Sequence, residues 1–217
     1  MKVKELLLNT ASLKKQKDFY KERLSFKLIY ETPTKISFET GKSILSFIEN
    51  KHYKPYHFAF NIPPFYENKA LLWLKKRVKV IPFESNEIVD FSSWNARSIY
   101  FYDEDKNIVE FIARRNLRVN ALENFSPEAI LSISEVGIAT ENIEAIYNRL
   151  NTLQNIPVYD GDFNNFCAIG NDEGLFIVVN KDQKKWFPVN DPVFVSDFII
   201  KGDYNFKYKN GKIMNLT

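Results

Sequence analysis

The order strand, helix, strand, strand, strand is written twice within the first 114 residues of this chain, and such a repeat constrains the fold more than any single motif. In the first copy KELLLNT (4–10) reads as a strand. SLKKQKDFYKERL (12–24) reads as a helix capped by Ser12. FKLIYET (26–32), KISFET (35–40) and SILSFIEN (43–50) read as three more strands. The second copy runs from HFAFNI (57–62) through the helix ENKALLWLKKR (67–77) and the strand VKVIPF (78–83). A polar stretch (84–96) follows, and then the strand pair ARSIYFYD (96–103) and NIVEFIAR (107–114). A fainter third copy begins at EVGIAT (135–140). It continues through ENIEAIYNRL (141–150) to IPVYD, FCAIG and LFIVVN (175–180). Beyond Asn180 only short strands are expected, with Asn210-Gly211 as a hairpin turn. The expected organisation is a two-module domain over 1–115, a polar linker over 116–130, and a third module with its terminal hairpin over 131–217.

Composition narrows the function. A net charge of +3, with Lys and Arg interleaved among Asp and Glu, argues against a nucleic-acid partner. No apolar run approaches the ~18–20 residues of a membrane span, and the LLL near the N-terminus is too short for a signal-peptide core. The single cysteine, Cys167, excludes an intramolecular disulfide, so the expected location is the cytoplasm. Aromatic residues make up 15% of the chain, enough to fill a large core and also line an apolar cavity.

Two phrases carry a family likeness: FYKERLSF (19–26) and YFYDEDKNIVEFI (100–112). In this order, within the repeat, they resemble the vicinal oxygen chelate superfamily of glyoxalase I, extradiol dioxygenases, fosfomycin-resistance and bleomycin-binding proteins. Ser25, Glu104 and Lys106 stand where the family patterns carry glycine, proline and glycine. The resemblance implies an α+β fold in which paired βαβββ modules form a cupped mixed sheet, with a third βαβββ-like module at the C-terminal end. It implies a divalent metal (Fe, Mn, Ni or Zn) held by residues of the first and last strands of the modules. Carried over by position, these are Glu5, fourteen residues before Phe19, together with His57 and Glu110. Ser46 falls at the matching last-strand position of module one. Module three offers Glu135 and Ile177, and because Ile177 cannot bind a metal no second complete site is expected.

His57 is one of two histidines, and it sits in an apolar strand; Glu110 is a lone charge among Ile108, Val109, Phe111 and Ile112. Burying a carboxylate there is costly unless it is paired or metal-bound. The plainer reading of each residue, a hydrogen-bonded histidine and solvated acids, stands beside this one. Tyr100 is the candidate catalytic partner of Glu110. Tyr102, Arg97 and Arg114 are candidate substrate contacts, against the alternative of rim aromatics and a solvated strand end. KDQKKW (181–186) reads as a solvated turn.

The function these readings imply is a metal-dependent lyase, isomerase or ring-cleaving dioxygenase acting on a small substrate with adjacent oxygens. The alternative is a non-catalytic binding protein of the bleomycin-resistance type. One histidine with two carboxylates departs from the two-histidine set of the ring-cleaving members. An odd module count leaves open completion by the tail hairpin or by a second copy in a homodimer.

Overall fold

The computed structural model describes residues 1–119 and 123–216. Residues 120–122 of the expected 116–130 linker lie outside the described residues. Module one comprises β1 (Val3–Thr10), α1 (Leu13–Lys17, continued by a π-helical turn over Asp18–Arg23), β2 (Leu28–Glu31), β3 (Lys35–Thr40) and β4 (Ser43–Glu49). Ser12 caps α1 through the Lys15 amide. Module two comprises β5 (His57–Ile62), α2 (Glu67–Lys75), β6 (Val80–Ile81), β7 (Val89–Phe91), β8 (Ala96–Tyr102) and β9 (Ile108–Arg114). Module three comprises β10 (Ser132–Thr140), α3 (Ile143–Leu153), β11 (Val158–Gly161), β12 (Phe166–Asn171) and β13 (Gly174–Asn180). A two-stranded strap follows, β14 (Lys185–Trp186) with β15 (Asp191–Pro192). The chain ends in β16 (Phe198–Gly202), β17 (Phe206–Lys209) and β18 (Lys212–Asn215). Asn210 and Gly211 both take positive φ in the last turn, as a two-residue hairpin loop requires.

In each of the three full modules the first strand runs parallel to the last: β1 with β4, β5 with β9 and β10 with β13. The modules then meet through their first strands. The sequence reading paired modules one and two within 1–115, but the hydrogen-bonded seams join β5 antiparallel to β10, and β1 antiparallel to β16. Modules two and three therefore share one sheet, and module one shares its sheet with the terminal strands. Among the described residues the strand ladder joins these two halves only at Val3 with Ile133, and beside it the Lys42 amide donates to the Leu131 carbonyl oxygen at 2.8 Å. Period-2 alternation fixes the face each residue takes but not which edge of one module meets which edge of another.

One face of each sheet buries its helices. Leu6 and Leu8 of β1, Phe58 and Phe60 of β5, and Ile138 of β10 pack in the main core with Phe19, Tyr20, Leu74 and Leu150. The opposite face of the module two–three sheet carries a second cluster, built on Tyr100, Ile108, Ala168, Leu175, Ile177 and Val179 and roofed by Trp186. Among the described residues no helix is long and apolar enough to cross a membrane.

Candidate metal centre

A single register row crosses the second face. Tyr100 of β8 lies opposite Glu110 of β9, Glu110 beside Ala59 of β5, and Ala59 opposite Glu135 of β10. His57 is two residues before Ala59 and so projects from the same face. The two carboxylates lean over the small Ala59 side chain. His57 Nε2 stands 3.6 Å from a Glu110 oxygen and 3.7 Å from a Glu135 oxygen. One donor atom from each of the three residues falls within 4.8 Å of the others, and all three are buried.

The imidazole is oriented from behind. Its Nδ1 lies 3.2 Å from the Ile108 carbonyl oxygen. A carbonyl only accepts, so Nδ1 carries the hydrogen and Nε2 is the atom presented to the carboxylates. Burial disfavours the charged ring, but Glu135 and Glu110 outweigh it and raise the His57 pKa above its ordinary value. Burial, with the neighbouring charge of Glu135, pushes Glu110 up to about 7 against the opposing pull of His57. Tyr100 is buried and beside the acids, so its pKa is raised well above the usual phenol value and it stays protonated. Behind Glu135, the fully buried Arg114 donates from Nη2 to Glu135 Oε1, while its guanidinium lies 5.5 Å from the Trp94 ring centre and 5.8 Å from that of Tyr159.

In front of the row lies a cavity of about 270 Å³. His57, Glu110, Glu135 and Tyr100 line one side of it, and Phe91, Trp94, Phe166, Trp186 and Phe187 supply aromatic walls. The strap is held down at Tyr102, whose hydroxyl donates to Asp191 at 2.6 Å. Trp186 sits 5.2 Å from the His57 ring, centre to centre. Gly137 makes room for it, because a Cβ there would come within 2.8 Å of the indole.

The structure brings His57, Glu110 and Tyr100 together, sets Arg114 behind them against Glu135, and leaves Glu5, Arg97 and Tyr102 outside the cluster. Glu5 lies on the module-one sheet. It pairs with Lys35 at 2.8 Å and Lys201 at 2.9 Å and accepts from Ser46 at 2.9 Å. Burial alone would raise its pKa, but these three donors hold it at about 2. Two ammonium groups thus neutralise the carboxylate that was expected to bind the ion. The third acid beside His57 is Glu135. Sequence register marks it as module three's first-strand position, set aside because its counterpart Ile177 cannot bind a metal; the antiparallel seam between β5 and β10 instead brings it into the set of module two. Ile177, its counterpart, lines the same cavity. Arg97 turns away to Asp90 (3.1 Å) and Glu67 (3.8 Å), the Tyr102 hydroxyl is taken by Asp191, and Arg114 binds Glu135 from behind.

Three donors at these separations suit a divalent ion. With metal–ligand distances of ~2.0–2.2 Å, neighbouring ligand atoms stand about 3–4 Å apart. One imidazole and two carboxylates are ligand types that a divalent ion accepts.

The fold is shared with solved structures named as glyoxalase I and as a dioxygenase. The structure resembles a "putative dioxygenase" from Bacillus subtilis subsp. subtilis str. 168, with a TM-score of 0.61 and 14% identity over 82% of this chain and 63% of that one. It also resembles glyoxalase I from Zea mays, with a TM-score of 0.54 and 12% identity over 82% of this chain and 66% of that one. A mutant of the maize enzyme gives a TM-score of 0.57 at 11% identity, over 84% of this chain and 70% of that one. The chain thus spans less than two thirds of the length of the Bacillus protein. No protein-family model and no curated protein sequence matches the chain.

Proposed function

We propose that this protein is a metal-dependent enzyme that holds a divalent cation through His57 Nε2, Glu110 and Glu135 and acts on a small substrate with adjacent oxygens. The observation that carries this reading is the convergence of three buried ligand-type side chains on the floor of an aromatic cavity. A bound divalent ion supplies Lewis-acid polarisation of a substrate oxygen. The chain's own groups do the rest. Arg114 holds Glu135 in place, and Ile108 fixes the imidazole tautomer. Tyr100 offers a protonated phenol beside Glu110. Trp186 and Phe187 exclude water, which strengthens every charge interaction beneath them.

One imidazole with two carboxylates departs from the two-histidine, one-carboxylate triad of non-haem iron oxygenases. Lyase or isomerase chemistry therefore stands ahead of ring cleavage in this proposal. A second reading, sequestration of a small molecule without catalysis, is favoured by the aromatic walls.

Elemental analysis of anaerobically purified protein tests the proposal. One divalent ion per chain is expected in the wild type and in Glu5→Gln, with at least tenfold weaker retention in Glu110→Gln and Glu135→Gln. Wild-type protein that binds none of the four metals when titrated with them refutes the enzyme reading and leaves the sequestering one.

A further inference from the structure

The segment that sequence alone read as a solvated turn, KDQKKW, supplies part of the cavity wall. Its root is ordered: the amides of Gln183 and Lys184 both donate to the Asn180 carbonyl, at 3.2 and 2.9 Å. Lys181 is spent on Glu141 at 3.0 Å and Asp182 at 2.8 Å. Lys184 and Lys185 differ from it. Both line the cavity that has His57, Glu110 and Glu135 on its other side, both are exposed to solvent, and among the described residues neither has a carboxylate within 4.0 Å. The acid on that wall, Asp160, accepts the Trp94 indole hydrogen at 2.5 Å. The cavity is thus polarised: Glu110 and Glu135 are buried on one side, and the exposed side carries the two ammonium groups of Lys184 and Lys185 against the single carboxylate of Asp160.

Shape limits the occupant further. At about 270 Å³ the space lies below the ~300–1,000 Å³ of pockets for drug-sized ligands. It exceeds the ~150 Å³ that encloses a benzene molecule. Phe91, Trp94, Phe166, Trp186 and Phe187 all line it, so its walls are largely aromatic. Such walls favour one planar ring with a few substituents.

We propose that Lys184 and Lys185 select an anionic single-ring substrate, a small aromatic acid. Its ring lies between the aromatic walls, its acid group sits at the mouth, and its oxygen substituents point to the His57–Glu110–Glu135 floor. The orientation follows from charge. An acid group directed inward without a metal meets two carboxylates, whereas directed outward it meets two ammonium groups against one carboxylate, Asp160, which already accepts the Trp94 indole hydrogen. This assignment rests on the reading of the same cavity as the substrate site. The lysine preference itself does not require a metal.

The test uses the protein's own fluorescence, since two of its three tryptophans, Trp94 and Trp186, line the cavity. Full-length protein is titrated with benzoate and with its neutral isostere benzamide in EDTA at low salt, so that no metal can bind the carboxylate. Benzoate is expected to bind about tenfold tighter, from two partly exposed charge pairs. The preference should shrink toward parity in 1 M NaCl. It should vanish in Lys184→Ala/Lys185→Ala and reverse in Lys184→Glu/Lys185→Glu, positions exposed enough to leave the fold intact. Equal binding of the two probes, a preference that survives the double substitution, or no quenching by either probe overturns the assignment. Elemental analysis of the same preparation, sampled before EDTA is added, judges the metal reading separately. A lysine-dependent preference in a chain that never takes up metal sinks only that reading. Stoichiometric metal without the preference sinks only this one.

Discussion

Glu110 and Glu135 stand on strands that do not pair with each other, each in register with Ala59 of the strand between them, and their carboxylates meet His57 above that one methyl group. The approach depends on Ala59 being small. Leu at this position would push a branched side chain between the acids, in a site with no exposed surface to receive it. Ala59→Leu is expected to cost ~1–3 kcal/mol from overpacking and to abolish stoichiometric metal uptake, whereas Ala59→Ser should preserve uptake. Urea unfolding and metal titration of both variants check this. Full metal binding by the Leu variant would show that the row does not converge as described.

Arg114 and Glu135 form a buried ion pair in which one partner also faces the candidate metal position. Removing a single partner leaves an uncompensated buried charge. Arg114→Leu should therefore destabilise by ~3–5 kcal/mol. The double variant Arg114→Leu/Glu135→Leu should recover most of that loss, because apolar pairs of similar volume replace buried ion pairs at little cost. Equal destabilisation of the single and double variants, read from urea midpoints at constant m, would argue that Arg114 matters for packing and not for charge.

The sequence was most legible where local rules act alone. The alternation of HFAFNI puts His57 and Ala59 on one face, Ser12 caps its helix, and Asn210-Gly211 turns its hairpin. It was least legible where distant edges choose partners. Both Glu5 and Glu135 occupy first-strand positions in apolar surroundings. What separates them is Lys201, registered directly against Glu5 across β1 and β16, whereas Glu135 faces Ala59 across β10 and β5. No periodicity within either strand encodes that difference. Arg114 was misread for a related reason. A basic residue at a strand end is ordinarily solvated, and only the neighbouring β10 turns this one into a fully buried partner of an acid.

A third prediction concerns pH. Asp103 is buried in the turn after β8, where it accepts from Gln16 Nε2 at 3.0 Å and from the Tyr20 hydroxyl at 3.0 Å, tying module two to the helix of module one. Burial pushes its carboxyl up to about 6, despite the Asn107 donor, and the nearby Asp105 charge adds to the rise. A carboxyl whose pKa is higher folded than unfolded binds more protons in the folded state. Its stabilising contribution is therefore present below about 4 and lost as pH rises to about 6. Relative to Asp103→Asn, the wild type should lose on the order of 1–3 kcal/mol of stability across that window and then level off. A pH series of denaturant midpoints measures it. A difference that grows with pH would mean the hydrogen-bond donors, not burial, govern this carboxyl.

The last prediction turns on Gly137. Its backbone has no unusual dihedral, so its requirement is spatial: a Cβ would lie 2.8 Å from the far edge of the Trp186 indole and 3.0 Å from the His57 carbonyl oxygen. The carbonyl belongs to the central strand β5 and cannot yield without breaking the sheet. The indole belongs to a strap held by two short strands and the Tyr102–Asp191 bond, so the indole moves. Gly137→Ala should cost ~1–3 kcal/mol, red-shift the Trp186 emission and speed amide exchange over residues 185–192, while β5 and β10 keep their protection. Because the same indole covers His57, the imidazole should also become more accessible to a histidine-directed acylating reagent. If emission and strap exchange stay unchanged while β5 loses protection, the strand has yielded and the strap is the more rigid of the two.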